Sequence, residues 1–238
     1  MSFINIDNNK YIKNIVQGDS FSYMGVVFDK RLKWNEQLDR VISKVRSELF
    51  MLSKISKLIS LETCKIIYHA IIASHLTYCC TSWMPGLGKV KMKRLVILQN
   101  KCVRTVSRTG PISHAEPLYK FLNILKIQHQ MNLELYYLAE SGRQRNGPQI
   151  FWEMFKTKTK RNPQSTHLSS LTMESTDKQN RGEIFQILAK IWTQTFKVLG
   201  ELKMKDVKAN LKKKFLEGYN SECIIAGCGV CALNSQQN

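Results

Sequence analysis

The stretch Ser20–Glu36, SFSYMGVVFDKRLKWNE, changes chemistry halfway along, and that change limits what the rest of the chain can build. Phe21, Tyr23, Val26 and Phe28 form an alternating run of aromatic and β-branched residues and read as one strand. Gly25 inside it marks a bulge or a close backbone approach. Asp29-Lys30-Arg31 ends the run, and Trp34-Asn35 starts a helical pattern. Upstream, Phe3 to Ile6 and Tyr11 to Val16 read as two further strands, with turns at Asp7-Asn8-Asn9 and Gln17-Gly18-Asp19. Nearly everything downstream is helical in pattern. The expected fold is mainly α, with a small N-terminal antiparallel β meander, a helical bundle and a helical tail.

Asn35 is the expected cap of the first long helix. Its stripe is Leu38, Val41, Ile42, Val45, Leu49, Leu52 and Ile55, and it is expected to end near Ile59. Ser60 caps the next helix, with Glu62 favouring the dipole in its first turn. Ile66, Ile67, Ala70, Ile71 and Ala73 make that helix apolar nearly all round, so it reads as the central buried one. His69 and His75 have no Ser or Cys with an orienting carboxylate at a recognisable spacing, so they read as structural. Met84 to Gly88 breaks the helix.

A third helix spans Val90 to Val106, with Leu95, Leu98, Cys102 and Val106 inward. A short helix from His114 to about Asn123 and another from Ile127 to Ala139 come next. Glu116 reads as a first-turn carboxylate at a helix entry. The expected divisions are 1–33, 34–141, a linker at 142–182 with an apolar island around Ile150 to Phe155, and a tail at 183–238. The tail carries helices at Glu183 to Leu199 and at about Lys205 to Tyr219.

Charge points to a partner. The chain has 36 Lys+Arg against 18 Asp+Glu, a net charge of +18, which makes a polyanion the first candidate. The excess concentrates on the third helix, where Lys89, Lys91, Lys93, Arg94, Lys101, Arg104 and Arg108 occur with no acidic residue among them. A solvated face normally mixes signs. These seven are the candidate phosphate-binding residues, and the bland alternative is a solvated face.

No run of about 18 apolar residues is present, so no spanning segment is expected. An anionic-membrane surface is the weaker polyanion candidate because the basic residues accompany core-forming stripes, so no membrane partner is expected. No secretory signal is visible, and an intracellular setting, cytoplasmic or nuclear, is expected. Cys64, Cys79, Cys80 and Cys102 read as small core hydrophobes. Cys223, Cys228 and Cys231 have thiolate spacing but no fourth ligand after them, so no metal residue is assigned.

Tyr23-Met24-Gly25-Val26, Phe28-Asp29 and Leu32-Lys33-Trp34-Asn35 resemble the passage that closes the palm and enters the thumb in non-LTR (LINE-like, jockey/CR1 type) retrotransposon reverse transcriptases. The resemblance continues through Ser60-Leu61-Glu62-Thr63, Tyr68, Ala70, Ile72, Ser74 to Tyr78, Trp83, Leu95, Leu98-Gln99, Lys101, Arg104, His114, Glu116 to Tyr119 and Leu122 to Leu125. It covers about Phe21 to Leu125. It implies a thumb-like bundle that grips RNA, DNA or an RNA–DNA duplex through its phosphates, with Tyr23, Met24 and Gly25 near the primer end. It also implies that the palm and fingers are missing partners. Polymerisation in the family needs an Asp-Asp pair holding divalent metals. These 238 residues contain no such pair, so no catalytic residue and no cofactor is assigned, and the expected function is that of an inactive C-terminal polymerase fragment. A stand-alone RNA- or protein-interaction module derived from a transposon is the alternative.

Overall fold

A computed structural model describes residues 18–143, 155–157, 171–173 and 204–219. The chain is mainly helical, with an antiparallel strand pair leading into the helices. The Phe21–Phe28 run is not one strand. It is a hairpin of β1 (Ser20–Tyr23) and β2 (Val26–Asp29), paired Ser20 to Asp29 and Tyr23 to Val26. Met24 and Gly25 form the two-residue turn with φ of 46° and 79°. Positive φ at both positions suits the right-handed twist of paired strands, and this is what Gly25 supplies. The expected strands at Phe3–Ile6 and Tyr11–Val16 lie outside the described residues.

The hairpin is tied to α1 (Asn35–Ile55) at several points. Asn35 does not cap this helix. Trp34 holds the cap position with φ 61°, and Asp29 takes over the capping chemistry. Its carboxylate accepts from the backbone N–H of Arg31, Lys33 and Trp34 at 3.1, 2.9 and 2.6 Å. These donors, Lys33 first, hold the Asp29 carboxyl below its ordinary pKa. Buried Gln37 accepts from Val27 N–H at 2.9 Å, which fixes the strand to the first turn of the helix. α1 buries Leu38, Val41, Ile42, Val45 and Leu52 as its stripe requires, but it stops at Ile55, which is exposed.

Ser60 caps α2 (Leu61–Ile67), its hydroxyl accepting from Thr63 N–H at 3.1 Å. The helix continues as a π-helical segment at Tyr68–Ala73 and then as α3 (Ser74–Thr77). It is not apolar-buried all round. Cys64, Tyr68, Ile72 and Leu76 form the buried face, while Ile66 and Ile71 are exposed. A four-residue spacing drifts about 40° per step around an α-helix, and the wider π turn absorbs that drift. α4 (Cys80–Trp83) comes next, started by Cys79 at φ 47°. Cys64, Cys80 and Cys102 are buried, whereas Cys79 is exposed.

α5 (Lys89–Val106) lies along α1. Lys33 meets Lys91 and Asp39 meets Arg94, so the two helices run parallel. α6 (Ala115–Phe121) and α7 (Ile127–Arg143) close the core, which gathers Trp83, Leu95, Leu118, Tyr119, Leu122 and Leu135. Glu116 pairs with Lys126. Within the expected linker, β3 (Phe155–Thr157) pairs antiparallel with β4 (Leu171–Met173). The last described helix, α8 (Met204–Glu217), packs against α6 and α7. Tyr219 anchors it: its hydroxyl lies 2.8 Å from His129 Nδ1 and accepts from Lys126 N–H at 3.0 Å. The expected helix at Glu183–Leu199 and the Cys223–Cys231 segment lie outside the described residues.

Candidate nucleic-acid interface

The core stripe of α5 is as expected, with Leu95, Leu98, Cys102 and Val106 buried, and it also takes in Met92 and Val103. That stripe turns the seven cations toward the surface, where they divide into two groups. Lys91 donates to Lys33 O at 2.7 Å, and Arg104 Nε donates to Ser113 O at 2.7 Å. Arg108, at φ 56° just past the helix, donates to Ile59 O. Arg94 pairs with Asp39 Oδ1 of α1 at 2.8 Å. In sequence the cations have no acidic neighbour, but the parallel packing of α1 supplies one in space. Lys89, Lys93 and Lys101 are exposed and have no partner among the described residues.

Charge is distributed unevenly along the α1–α5 pair. At its N-terminal end, Asp39 and the Lys33 carbonyl engage Arg94 and Lys91. At its C-terminal end the helices form a groove of about 470 Å³ whose lining includes Arg46, Phe50, Lys101, Arg104 and Thr109 and contains no carboxylate. The volume lies in the range of about 300–1,000 Å³ typical of ligand sites. Arg46 has no partner among the described residues. Arg104 spends one donor on Ser113 and keeps the rest of its guanidinium. Thr109 Oγ1 is covered and has no hydrogen-bond partner among the described residues. Phe50 is 63% exposed, with Lys54 Nζ 5.2 Å from its ring centroid. Arg46 and Phe50 are not among the residues that the sequence pattern singles out. The signal available is their position on α1: Arg46 lies between stripe residues, and Phe50 is a large aromatic adjoining them.

Tyr23 and Met24 are exposed at the hairpin turn, and Tyr78 donates its hydroxyl to Met24 O at 2.7 Å. A smaller cavity of about 230 Å³ beside the turn is lined by Gly25, Arg40, Lys44, His75 and Tyr78. His75 Nε2 sits 2.8 Å from Glu48 Oε1, and burial pushes the Glu48 carboxyl up against the opposing pull of His75. The turn and the α1–α5 groove are therefore separate places on the surface, joined through α1.

The described residues hold no group of three or more metal-ligating side chains and no helix long and apolar enough to cross a membrane. Burial pushes the Cys80 and Cys102 thiols up to about 12, so neither is a thiolate at neutral pH. What the surface can do is hold anions at positions set by rigid helices.

No protein-family model and no solved structure matches the chain. Over 123 residues, 50% of the chain, it is 28% identical to the probable RNA-directed DNA polymerase from transposon X-element of Drosophila melanogaster. The chain spans 13% of that relative's length. Over half its length, this chain is thus similar to a transposon RNA-directed DNA polymerase.

Proposed function

We propose that the chain is the C-terminal, thumb-like part of a non-LTR retrotransposon reverse transcriptase and grips template–primer nucleic acid. The observation that carries this reading is the carboxylate-free groove at the C-terminal end of α1 and α5, where Arg46, Lys101 and Arg104 converge. Similarity to a transposon polymerase supports it. The chemistry is phosphate neutralisation on a rigid helix pair, which positions a strand without reading its bases. Lys93, exposed nearer the N-terminus of α5 on the side that meets α7, supplies a further cation outside the groove. Arg94, neutralised by Asp39, takes no part, and Lys91 and Arg108 serve mainly to fasten loop carbonyls.

Filter binding across several salt concentrations tests the reading. Four phosphates, on Arg46, Lys93, Lys101 and Arg104, give a slope of log affinity against log salt of roughly −4, at about −0.9 per contact on duplex DNA. Changing Arg46, Lys93 and Lys101 together to Gln flattens the slope by about 3 and weakens binding alike for all sequences. Arg104 is left in place because it holds Ser113. A well-folded triple variant with unchanged affinity and slope would refute the reading.

A further inference from the structure

Phosphate neutralisation explains the cations of the α1–α5 groove but not the aromatic ring among them. Phe50 is on the helix that carries the core stripe, yet it contributes little to that stripe. Leu52 does the burying at 2% exposure, while Phe50 leaves 63% of its surface to solvent. The ring lines the same groove as Arg46, Lys101 and Arg104. A ring and cations side by side match the two halves of a nucleotide, the base face and the phosphate. A duplex hides its base faces by stacking them on one another, so a partner that uses the ring must offer an unpaired base. Stacking of this kind is tolerant of sequence because every base has a π-face. The groove is also large enough for a group of that size, at about 470 Å³.

We infer that the α1–α5 groove takes an unpaired nucleotide of a single strand, its base on Phe50 and its flanking phosphates on Arg46, Lys101 and Arg104. This rests on the proposed grip on nucleic acid and adds the form of strand held at this place. An acidic protein segment would satisfy the cations but gain nothing specific from a π-face.

The test uses the full chain and fluorescence anisotropy with a labelled oligo-deoxythymidine strand of about 12 nucleotides, inside the roughly 4–16 nucleotide span of single-strand sites. A duplex of the same length serves as the comparison. Phe50→Ala is expected to weaken single-strand binding about 5- to 100-fold, the loss typical of one stacked base, and to leave duplex binding unchanged. Phe50→Leu, which keeps apolar bulk, loses affinity in the same way, and Phe50→Trp retains it. Circular dichroism of each variant remains that of the parent, because the ring is outside the core. If the parent binds both forms with a steep salt dependence and Phe50→Ala changes neither, the inference fails while the proposed function stands. If the parent shows no salt-dependent binding to either form, both fail. Polyglutamate that displaces the strand as well as unlabelled oligonucleotide does would also overturn the inference, by assigning the groove to an acidic protein.

Discussion

Gln99 is a buried polar side chain on which three separate parts of the core converge. It is 3% exposed, on the inner face of α5. Its Nε2 donates to Tyr68 Oη at 3.1 Å and to Leu125 O at 3.0 Å, and its Oε1 accepts from Ile127 N–H at 2.8 Å. Ile127 opens α7, whose first N–H groups have no partner within the helix. Gln99→Leu keeps the volume close to constant but strands three buried groups, the Leu125 carbonyl, the Ile127 N–H and the Tyr68 hydroxyl. At about 1–3 kcal/mol for each unsatisfied group, the loss is about 3–9 kcal/mol. Added apolar burial returns about 1 kcal/mol, leaving a net loss of about 2–8 kcal/mol. Tyr68→Phe is the internal comparison. It removes one hydroxyl while Nε2 keeps Leu125, and is expected to cost about 1 kcal/mol. Urea unfolding of the full chain, tracked by helical signal, reads both changes. With a slope of about 2 kcal/mol per molar urea, Gln99→Leu lowers the midpoint by about 1–4 M. A Gln99→Leu loss no larger than that of Tyr68→Phe would refute the reasoning, since it would mean that Leu125 O and Ile127 N–H find other partners at little cost.

The packing carries two further expected outcomes. A Cβ at Gly86 would come within 2.8 Å of Trp34 Nε1, and Trp34 is buried, so Gly86→Ala should cost about 1–3 kcal/mol by overpacking and shift the tryptophan fluorescence. An unchanged midpoint and spectrum would show that the indole moves aside freely. The His129 ring stacks on Phe215 at 4.5 Å and on Tyr219 at 5.3 Å, and burial, aided by Lys126, holds its pKa below the ordinary histidine value. A depressed pKa means that the unfolded state binds the proton first. The stabilisation is therefore complete above about pH 6.5 and is lost as pH falls from there through the folded value. The protection of α8 amides, taken relative to their intrinsic exchange rate at each pH, should fall over that window and fall less in His129→Phe; an equal fall in both would place the sensitive group elsewhere.

The long amphipathic helices are legible in the sequence because their information is local. The α1 stripe from Leu38 to Leu52 and the α5 stripe from Leu95 to Val106 need only the helical period to be found. The hairpin is not legible, because Tyr23-Met24-Gly25-Val26 lacks the Asn-Gly or Asp-Gly pair that marks such turns, and a non-glycine carries one of the two positive φ angles. Nor is the cap of α1, since Asp29 reaches it from the end of a strand. A run as apolar as Ile66 to Ala73 does not say which side faces a partner, so the pattern alone misplaces Ile66 and Ile71 in the interior. The interface shows the same division. The single sign of α5 is visible in the sequence. The neutralisation of Arg94 by Asp39, the fastening of Lys91, Arg104 and Arg108 to carbonyls, and the meeting of Arg46 and Phe50 with Lys101 depend on which helix lies beside which.

The π-helical segment has a consequence for how this chain tolerates changes in length. Tyr68 keeps its place beside Gln99, and further along Tyr78 keeps its place on the hairpin turn. Both appointments are kept only because the wide turn between them sets the angular phase of the residues after it. Loss of one residue from Tyr68–Ala73 would restore an ordinary α-helix and leave its backbone hydrogen bonding intact. The wide turn holds one residue more than an α-helix would over nearly the same sweep of angle, so the later side chains would keep their phase. Leu76 would stay in the core and Tyr78 beside Met24, whereas the same deletion from an α-helical stretch such as α1 would rotate every later side chain by about 100° and break its buried stripe.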